Sequence, residues 1–339
     1  MLNTQTPAVA VIRSRTHDIS DAHTCLNHII GPHDLVDLNL YEPLDFSFDG
    51  SQIGRMIIGD LIYGKDIIFK TKNHDDMDHY CITRPKVGQP IFKKDGTYFQ
   101  SSYSNATIVS PYDKFEIQIK KDCVQNFMSF SKSFVEYVLS DLIEQPLHQP
   151  LYFQNTMFGD DKKIATWWNL IDSIVNFSNN FQSGTFLEQM KTDFEYVIVK
   201  SLLLSQPNNY SDLIHSKYHR HPDYLNRALD YIKKNIQHKI ELDDLEKAVG
   251  VSRKKLSLGF KEYLKSTPNA YIRFYRLKCI YDEISCATQK INITEIAFKW
   301  GVTHLGRFSI EYKEAFNESP SDTLKKALQK LPAASVLIH

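Results

Sequence analysis

The 339-residue sequence has no long apolar run, although a membrane-spanning helix needs about 20 consecutive apolar residues. Its N-terminal apolar patch, AVAVI, lies before the arginines of that segment and is too short for the core of a secretory signal peptide. No Walker loop, nucleophile elbow or pair of catalytic carboxylates stands out. These absences predict a cytoplasmic protein that has no membrane partner and no enzymatic activity.

Cysteine is scarce as well. The cysteines are scattered and form no C-x-x-C pair: Cys25, Cys81, Cys123, Cys279 and Cys286. This arrangement predicts free thiols in a reducing compartment. Cys279 and Cys286 are seven residues apart and can share a helix face, which leaves a redox or metal role open beside the packing of two small apolar side chains.

Net charge is absent overall, because 40 Lys and Arg balance 40 Asp and Glu. The balance differs along the chain: residues 1–221 carry 20 basic and 26 acidic side chains, whereas residues 222–339 carry 20 and 14. The C-terminal third therefore has the positive balance that favours binding to a polyanion.

Residues 44–120 are rich in short β-type runs separated by turn residues, such as RMIIGDLIYG, KDIIFKT, ATIVS and FEIQIK. Runs at this spacing predict a sandwich or barrel of short strands. Residues 1–20 are predicted to be loosely ordered. After Lys121 the apolar period changes to three and four, and Phe127, Phe130, Phe134 and Tyr137 predict a helix.

Two further helices are predicted over 164–177 and 186–204. One face of the second is apolar and consists of Leu187, Met190, Phe194, Val197, Ile198 and Leu202. Either the β domain or a second subunit covers this face, so a homodimer is a candidate assembly. Pro207 ends the helix, and the polar segment after it is typical of a linker. The predicted organisation is an N-terminal domain at 1–210, a linker at 211–222 and a helical domain at 223–330.

Two stretches of the C-terminal third repeat a short helix, a glycine turn and a second helix with a basic face. They run from Leu242 to Lys261 and from Ile293 to Lys313, and their turn glycines, Gly250 and Gly301, lie 51 residues apart. At this offset the turns superpose, whereas Tyr263 and Glu314 superpose poorly. Two helix-turn-helix units separated by a long helix that opens at Pro268 place two recognition helices in successive major grooves of DNA.

In the first unit Ser252 is predicted to cap the recognition helix. Its predicted DNA-binding residues project outward at helical spacing and are Arg253, Lys254, Ser257 and Lys261. Because neighbouring basic residues cannot all face one groove, most of their contacts are expected to be with phosphates. Lys255 is interpreted either as a phosphate contact or as a solvated charge.

In the second unit the predicted DNA-binding residues are Thr303, His304, Gly306, Arg307, Ile310 and Lys313. Arg307 is the candidate for bidentate recognition of guanine, and Ile310 for contact with a thymine methyl group. Thr303 and His304 lie at the helix start, where backbone N–H groups favour phosphate. On the connecting helix, Arg273 and Arg276 are phosphate candidates, with an internal acidic partner as the alternative for Arg276.

The run WGVTHLGRFSIEYKEAFNESPSDTLKK, residues 300–326, closely resembles the C-terminal signature of AraC/XylS-type transcription regulators, and the resemblance extends back to about Pro222. Framework positions of that family are matched by Gly301, Phe308, Tyr312, Phe316, Ser319, Pro320, Ser252, Leu256, Phe260, Pro268 and Arg276. Three positions depart from the family pattern: Glu246 stands where a small alanine is usual, Leu258 with Gly259 replaces a basic and an apolar residue, and Asn317 replaces a glycine.

The N-terminal part is similar to the cupin-type ligand-binding and dimerisation domain of one AraC branch. The resemblance implies an α+β protein of two domains: a cupin-like β-barrel with dimerisation helices, followed by an all-α domain with two helix-turn-helix units. It implies a regulator of transcription, expected to be an activator, whose partners are double-stranded promoter DNA, RNA polymerase and a small-molecule effector. Candidate pocket residues are Arg55, Tyr63, Tyr80 and Tyr98, for each of which ordinary packing or surface exposure is the alternative.

Two rival classes stay open at this point. A cupin metalloenzyme needs clustered ligands, but His74 and His79 lack the required spacing, and His215, His219 and His221 cluster in the predicted linker. We therefore predict no metal, no cofactor and no catalytic residue. The other rival is a helix-turn-helix protein that binds only proteins, which salt-dependent DNA binding would exclude.

Overall fold

The computed structural model describes residues 9–39, 41–71, 77–180, 185–216, 221–287 and 289–329. The chain divides into an N-terminal unit, built mainly from Met1–Val138 and Pro150–Ser211, and a C-terminal unit, built mainly from Leu139–Gln149 and Asp212–Leu331. Part of the predicted linker is helical, because residues Ser211–Ser216 form a short helix, and residues 217–220 lie outside the described residues. The predicted domain limits at 210 and 223 stay predictions.

The N-terminal unit is β-rich. Its strands, with the first helix among them, are β1 (Val9–Thr16), α1 (Ile19–Ile29), β2 (His33–Asp37), β3 (Phe46–Ile53), β4 (Met56–Ile62), β5 (Ile67–Thr71), β6 (His79–Val87), β7 (Ile91–Lys94), β8 (Thr97–Gln100), β9 (Asn105–Val109), β10 (Phe115–Ile119), β11 (Val124–Ser131) and β12 (Thr156–Phe158). They pair into a seven-stranded sheet, β1-β3-β4-β11-β6-β9-β12, and a five-stranded sheet, β2-β5-β10-β7-β8. The predicted cupin-like β domain is confirmed, although no ladder between described strands joins the two sheets into a closed barrel.

A core of buried side chains fills the space between the sheets. Phe48, Phe127 and Cys81 come from the larger sheet, and Phe69 and Phe92 come from the smaller one. The alternation of buried and exposed residues along β10 places Phe115, Ile117 and Ile119 inward, as the pleat of a half-buried strand requires. The inner faces of the two sheets therefore enclose an apolar core of this unit.

Two parts of this unit differ from the sequence prediction. Residues 9–20 are not loose, because β1 pairs with β3 along all eight of its residues and Asp18 caps α1, whereas residues 1–8 lie outside the described residues. Phe127 and Phe130 lie on β11 rather than on a helix, since β11 continues to Ser131 between β4 and β6. The three-and-four spacing that predicted a helix at Phe127 also fits a strand that is buried on both faces.

The next helices along the chain are α2 (Lys132–Ile143), α3 (Lys162–Asn180), α4 (Thr185–Ser205) and α5 (Ser211–Ser216). The last residues of α2, from Leu139, and α5 from Asp212 belong to the C-terminal unit. The predicted helices at 164–177 and 186–204 correspond to α3 and α4, which pack together: the Trp167 indole donates a hydrogen bond to the Ile198 carbonyl at 3.1 Å. Ile198 and Leu202 are buried as predicted. Val197 is 48% exposed, against the prediction, because Ile198 and Val199 take the inward positions. The side chains of Leu187 and Met190 lie outside the described residues.

The C-terminal unit is helical in its described residues. Its helices are α6 (Asp223–Asn235), α7 (Leu242–Val249), α8 (Arg253–Leu264), α9 (Pro268–Ser285), α10 (Ile293–Lys299), α11 (Leu305–Phe316) and α12 (Pro320–Gln329). Leu245, Leu256 and Phe260 contribute to the core around α7 and α8. None of the helices in the described part of the chain is long and apolar enough to cross a membrane.

Candidate DNA interface

The first helix-turn-helix unit consists of α7 and α8, joined by a short turn at Gly250. Gly250 has φ +70° and its N–H donates to the Glu246 carbonyl, which ends α7. Two residues later Ser252 accepts a hydrogen bond from the Lys255 N–H at 3.4 Å and caps α8, as predicted. The turn therefore consists of the left-handed Gly250, then Val251, and then Ser252, whose side chain caps α8.

The second unit consists of α10 and α11, and it has one more residue between the turn glycine and the start of the recognition helix. Gly301 has φ +80°, and a Cβ added there would lie 3.0 Å from the Gln237 carbonyl oxygen and 3.2 Å from Arg276 Nε, so both backbone angle and space favour glycine. Val302 and Thr303 then separate Gly301 from His304, which precedes α11 without a side-chain cap. Asn292 caps α10 by accepting from the N–H groups of Thr294 and Glu295.

This longer turn changes the register in which the two recognition helices correspond. Residues 52 apart, not 51, occupy equivalent buried positions: Leu256 with Phe308, Phe260 with Tyr312, and Leu264 with Phe316. Both helices are 12 residues long. Both end in a left-handed residue, Lys265 with φ +49° and Asn317 with φ +55°. The poor match of Tyr263 with Glu314 in the sequence comparison therefore comes from the offset and not from a difference between the helices.

In the corrected register the outward faces of α8 and α11 also correspond. Lys255 is equivalent to Arg307, and Lys261 is equivalent to Lys313. Leu258 is equivalent to Ile310, and the two side chains are 55% and 62% exposed. Leu258 was absent from the predicted site residues, although the 52-residue offset in the sequence would have paired it with Ile310. Each recognition helix thus presents an exposed branched aliphatic side chain among basic ones.

Arg253 is held by acidic residues of the preceding helix. Its Nε lies 3.2 Å from Glu246 Oε2, its guanidinium pairs with Asp243, and its N–H donates to Glu246. Glu246, the departure from the family pattern, therefore anchors the start of α8. The glycine at position 259, another departure from the family pattern, is also explained by its surroundings. A Cβ there would lie 2.5 Å from the Tyr224 hydroxyl oxygen.

The other predicted residues of α8 lie on its outer side. Lys254 and Lys261 are exposed, and Ser257 is half-buried. Lys255 Nζ lies 5.1 Å from the centre of the Tyr224 ring, so this ammonium group rests against an aromatic face. Lys254 and Lys261 therefore present exposed charges on α8 that have no acidic partner among the described residues.

A cleft of about 240 Å³ separates α9 from the start of α11. Thr303, His304 and Arg307 line one side of it, and Arg273 and Arg276 line the other. Arg307 is exposed, and its Nε donates to Glu311 Oε1 at 2.7 Å, which orients the guanidinium along the outer face of α11. Glu311 also lines the cleft, so its carboxylate offsets part of the positive charge that the arginines bring there.

Arg276 has a structural role that neither predicted alternative included. Its guanidinium donates to the Ile236 carbonyl from Nε at 3.2 Å and from Nη2 at 3.1 Å, and to the His238 carbonyl at 2.9 Å. It thereby satisfies carbonyls at the end of α6 that have no partner within the helix. Burial lowers the pKa of Arg276. Because the ordinary pKa of an arginine is very high, the guanidinium nevertheless stays charged. Arg273, one turn earlier, is exposed.

Comparison with known proteins identifies the family to which this geometry belongs. Residues 245–326 match a helix-turn-helix domain, and residues 22–204, more than half of the chain, match the AraC-binding-like domain. The chain belongs to the AraC family of transcriptional regulators. It therefore combines a ligand-binding N-terminal domain with a helix-turn-helix DNA-binding domain.

Individual members of the family are distant in sequence. This AraC-family chain is 21% identical over 321 residues to a probable thc operon regulatory protein of Rhodococcus erythropolis, covering 91% of the chain and 93% of that protein. It is 24% identical over 244 residues to XylDLEGF operon transcriptional activator 1 of Pseudomonas putida, covering 72% of the chain and 71% of that protein. Among solved structures, ToxT of Vibrio cholerae O395 aligns with a TM-score of 0.35 and 13% identity, covering 77% of the chain and 97% of ToxT.

The four candidate pocket residues of the AraC-family domain have separate surroundings. Arg55 pairs with Glu195, and the Tyr80 hydroxyl donates to Glu136 Oε1 at 3.2 Å inside the fold. Tyr98 is 58% exposed. Tyr63 alone among the four lines the cavity between the sheets, and its burial raises the pKa of its hydroxyl. The sequence alone did not separate Tyr63 from the other three.

The described residues of the regulator contain no group of three or more His, Cys, Asp or Glu placed to hold a metal ion. His74 and His219 lie outside the described residues. All five cysteines are free, with Cys286 exposed and Cys279 half-buried. Burial raises the pKa of the Cys279 thiol to about 11, so it is protonated and unreactive near neutral pH.

Proposed function

We propose that α8 and α11 enter successive major grooves of one promoter site and that a small molecule in the N-terminal domain controls this binding. The observation that carries the proposal is the matched outer face of the two helices, each with basic residues around one exposed aliphatic side chain. The 18-residue helix α9 separates the two units and is about 27 Å long at 1.5 Å per residue. This rigid spacer supports two half-sites about one DNA turn, or roughly 34 Å, apart.

The exposed residues divide into base contacts and phosphate contacts. We assign Arg307 to guanine, and Ile310 and Leu258 to thymine methyl groups. Phosphate contacts are assigned to Lys254, Ser257, Lys261, Thr303, His304 and Lys313. Gly306 lets the backbone of α11 approach the DNA closely, because it has no side chain and no atom within 4 Å of where one would start. Arg253, neutralised by Asp243 and Glu246, orients α8 and contributes less to DNA affinity than Lys254.

Replacing Arg307 with alanine is expected to weaken binding to the cognate site about 5- to 150-fold, equivalent to ~1–3 kcal/mol, and to relax specificity at one base pair. The measurement is the Kd for the cognate duplex and for duplexes substituted at single positions, at fixed salt. Arg307→Lys is the matched control, because it keeps the charge and loses the bidentate donor pair.

Lys313→Ala provides the comparison for a phosphate contact. It is expected to weaken binding to all sequences equally and to reduce the slope of log K against log salt by about 1. If Arg307→Ala behaves in the same way, the assignment of Arg307 to a base is wrong.

Leu258 gives a second test, because its proposed contact is with one methyl group. Substituting deoxyuridine for the thymine under Leu258 removes that methyl and should weaken binding about fourfold, from ~0.8 kcal/mol per buried carbon. In Leu258→Ala the same base change should have little effect. Ile310→Ala is the matched control: it should respond to deoxyuridine in the α8 half-site but not in the α11 half-site. An equal effect of the base change in wild type and Leu258→Ala would contradict the contact.

The remaining parts of the proposal concern regulation. Relatives named transcriptional activators support activation of transcription, and we propose that it involves contact with RNA polymerase. The half-exposed Val197 on α4 supports a homodimer formed through α3 and α4.

We propose a non-enzymatic cytoplasmic protein, with the effector domain at 1–210, the linker at 211–222 and the DNA-binding domain at 223–330. Salt-dependent binding of discrete genomic fragments by the full chain tests this function, and metal analysis of purified protein tests the metalloenzyme alternative.

A further inference from the structure

A small cavity lies between the two sheets of the N-terminal unit. Its volume is about 30 Å³, and aromatic and aliphatic side chains form most of its wall, including Leu61, Phe69, Phe92 and Phe115. None of the described residues that line it carries a charge. The cavity is therefore a site for an apolar group rather than for an ion.

Two polar atoms are aimed into this apolar space. Thr107 is 1% exposed and Gln125 is 2% exposed, and both line the cavity. Thr107 Oγ1 and Gln125 Nε2 have no hydrogen-bond partner among the described residues. A buried polar group without a partner is unfavourable, so the fold retains two unfavourable groups at one place.

The strand register explains why these groups are neighbours. Thr107 on β9 lies opposite Thr83 on β6, and Thr83 lies opposite Phe127 on β11. Gln125 is two residues before Phe127 and therefore points to the same face of the sheet. Three polar side chains thus form a patch on an otherwise apolar inner surface.

We propose that this cavity is the effector site and that its ligand is a compact, uncharged, mostly apolar molecule with a hydrogen-bond acceptor for Gln125 and a second polar group for Thr107. The inference rests on the proposed control by a small molecule and names its chemical class. A carboxylate or an ammonium would lose its hydration without gaining an opposite charge in the wall. A neutral carbonyl or hydroxyl satisfies the two polar atoms without that cost.

Ligand entry requires the wall to repack. A volume of 30 Å³ holds roughly two water molecules, whereas a benzene-sized guest occupies a cavity of about 150 Å³. Met77 lines the cavity, and its unbranched thioether side chain adopts other rotamers more easily than the surrounding rings. Met77→Ala is therefore expected to admit larger neutral ligands than the wild type.

The test uses full-length protein and three probes of equal size, benzamide, benzoate and benzylamine. Benzamide is expected to raise the melting temperature of the wild type or of Met77→Ala, and the two charged probes are not. If benzamide stabilises neither protein, or if benzoate stabilises them more, the assignment of an uncharged ligand is wrong.

Isosteric variants separate a ligand-binding role from a structural one. Gln125→Leu and Thr107→Val each remove an unpartnered group, so the unliganded protein should melt at an equal or higher temperature while benzamide binds about tenfold more weakly. The matched control is Gln118→Leu, at an exposed position on β10. Lower stability with unchanged benzamide binding would mean that the two groups serve the fold through bound water, and would overturn the proposal.

DNA binding by the same preparations distinguishes failure of the cavity proposal from failure of the proposed promoter recognition. Sequence-specific, salt-dependent DNA binding without any benzamide response means that the cavity proposal fails and the regulator stands. Absence of specific DNA binding in wild type, with a benzamide response retained, would instead reject the proposed promoter recognition.

Discussion

Replacing Glu195 with alanine is expected to lower the free energy of unfolding of the N-terminal unit by about 3–5 kcal/mol. The Glu195 carboxylate on α4 is 3% exposed and accepts from Arg55 Nε and Nη2, each at 3.3 Å, and from the Arg55 N–H. Without it the Arg55 guanidinium, 12% exposed and 3.7 Å from the centre of the Phe134 ring, is a buried charge that has lost the Glu195 carboxylate.

The cost comes mainly from the charge left behind, so removing both partners should restore most of the stability. Arg55→Met combined with Glu195→Leu is expected to be near neutral or stabilising, because apolar side chains of similar volume need no desolvation. The exposed pair Lys70 and Glu116, with Nζ to Oε1 at 3.4 Å, supplies a control: Glu116→Ala should cost less than about 1 kcal/mol. Urea denaturation of the full chain measures all three variants, and a loss below about 1 kcal/mol for Glu195→Ala would contradict the argument.

Arg55 also shows what the sequence was unable to provide. Its residue type and its place in a strand-rich segment made it a pocket candidate, but its partner Glu195 is 140 residues away. Periodicity indicates which face of α4 is apolar and gives no indication that a carboxylate of that helix reaches the β3–β4 turn. The same limit applies to Arg276, whose carbonyl partners lie about 40 residues earlier, at the end of α6.

The C-terminal unit was predicted more fully, because its signals are local. Ser252 and Asn292 cap their helices through side chains within three residues, and Gly250 and Gly301 end helices through their own backbone angles. Such features depend on neighbouring residues and are visible in a sequence. The 51-residue offset of the turn glycines did not reveal the 52-residue offset of the recognition helices, since the extra residue lies in a turn where no periodic signal exists.

The N-terminal cavity is harder to predict for a different reason. Thr107 and Gln125 are ordinary strand residues, and their significance appears only when β9, β6 and β11 are paired in register. Alternation along β11 places Gln125 on the same face as Phe127, but no sequence pattern states that it lacks a partner. The residues of the candidate effector site are thus brought together by cross-strand pairing, which a sequence does not show. Those of the candidate DNA interface are brought to one face by helical periodicity, which it does show.

Replacing Tyr312 with alanine is expected to destabilise the second helix-turn-helix unit by about 3–5 kcal/mol and to remove recognition of its half-site. Tyr312 is fully buried, and its ring lies 4.8 Å from Phe316, 5.6 Å from Phe308 and 6.2 Å from Tyr281, between centroids. These rings fix α11 against α9, so the loss of the central one frees the helix that carries Arg307 and Ile310.

The hydroxyl contributes separately from the ring. It donates to Thr323 Oγ1 at 3.0 Å, and Thr323 donates to Glu318 Oε1 at 2.7 Å. Tyr312→Phe removes the first of these bonds and keeps the ring, so it should cost only about 1 kcal/mol and preserve specificity for both half-sites. Lys313→Ala, at the neighbouring exposed position, should leave stability within about 0.5 kcal/mol of the wild type.

Denaturation and DNA footprinting together measure this effect. Because α7 and α8 pack in a core that includes Leu245, Leu256 and Phe260 but not Tyr312, Tyr312→Ala should retain protection of the α8 half-site while protection of the α11 half-site is lost. Equal loss over both half-sites would mean that the two units fold as one cooperative domain, and that α9 transmits the disorder of one recognition helix to the other.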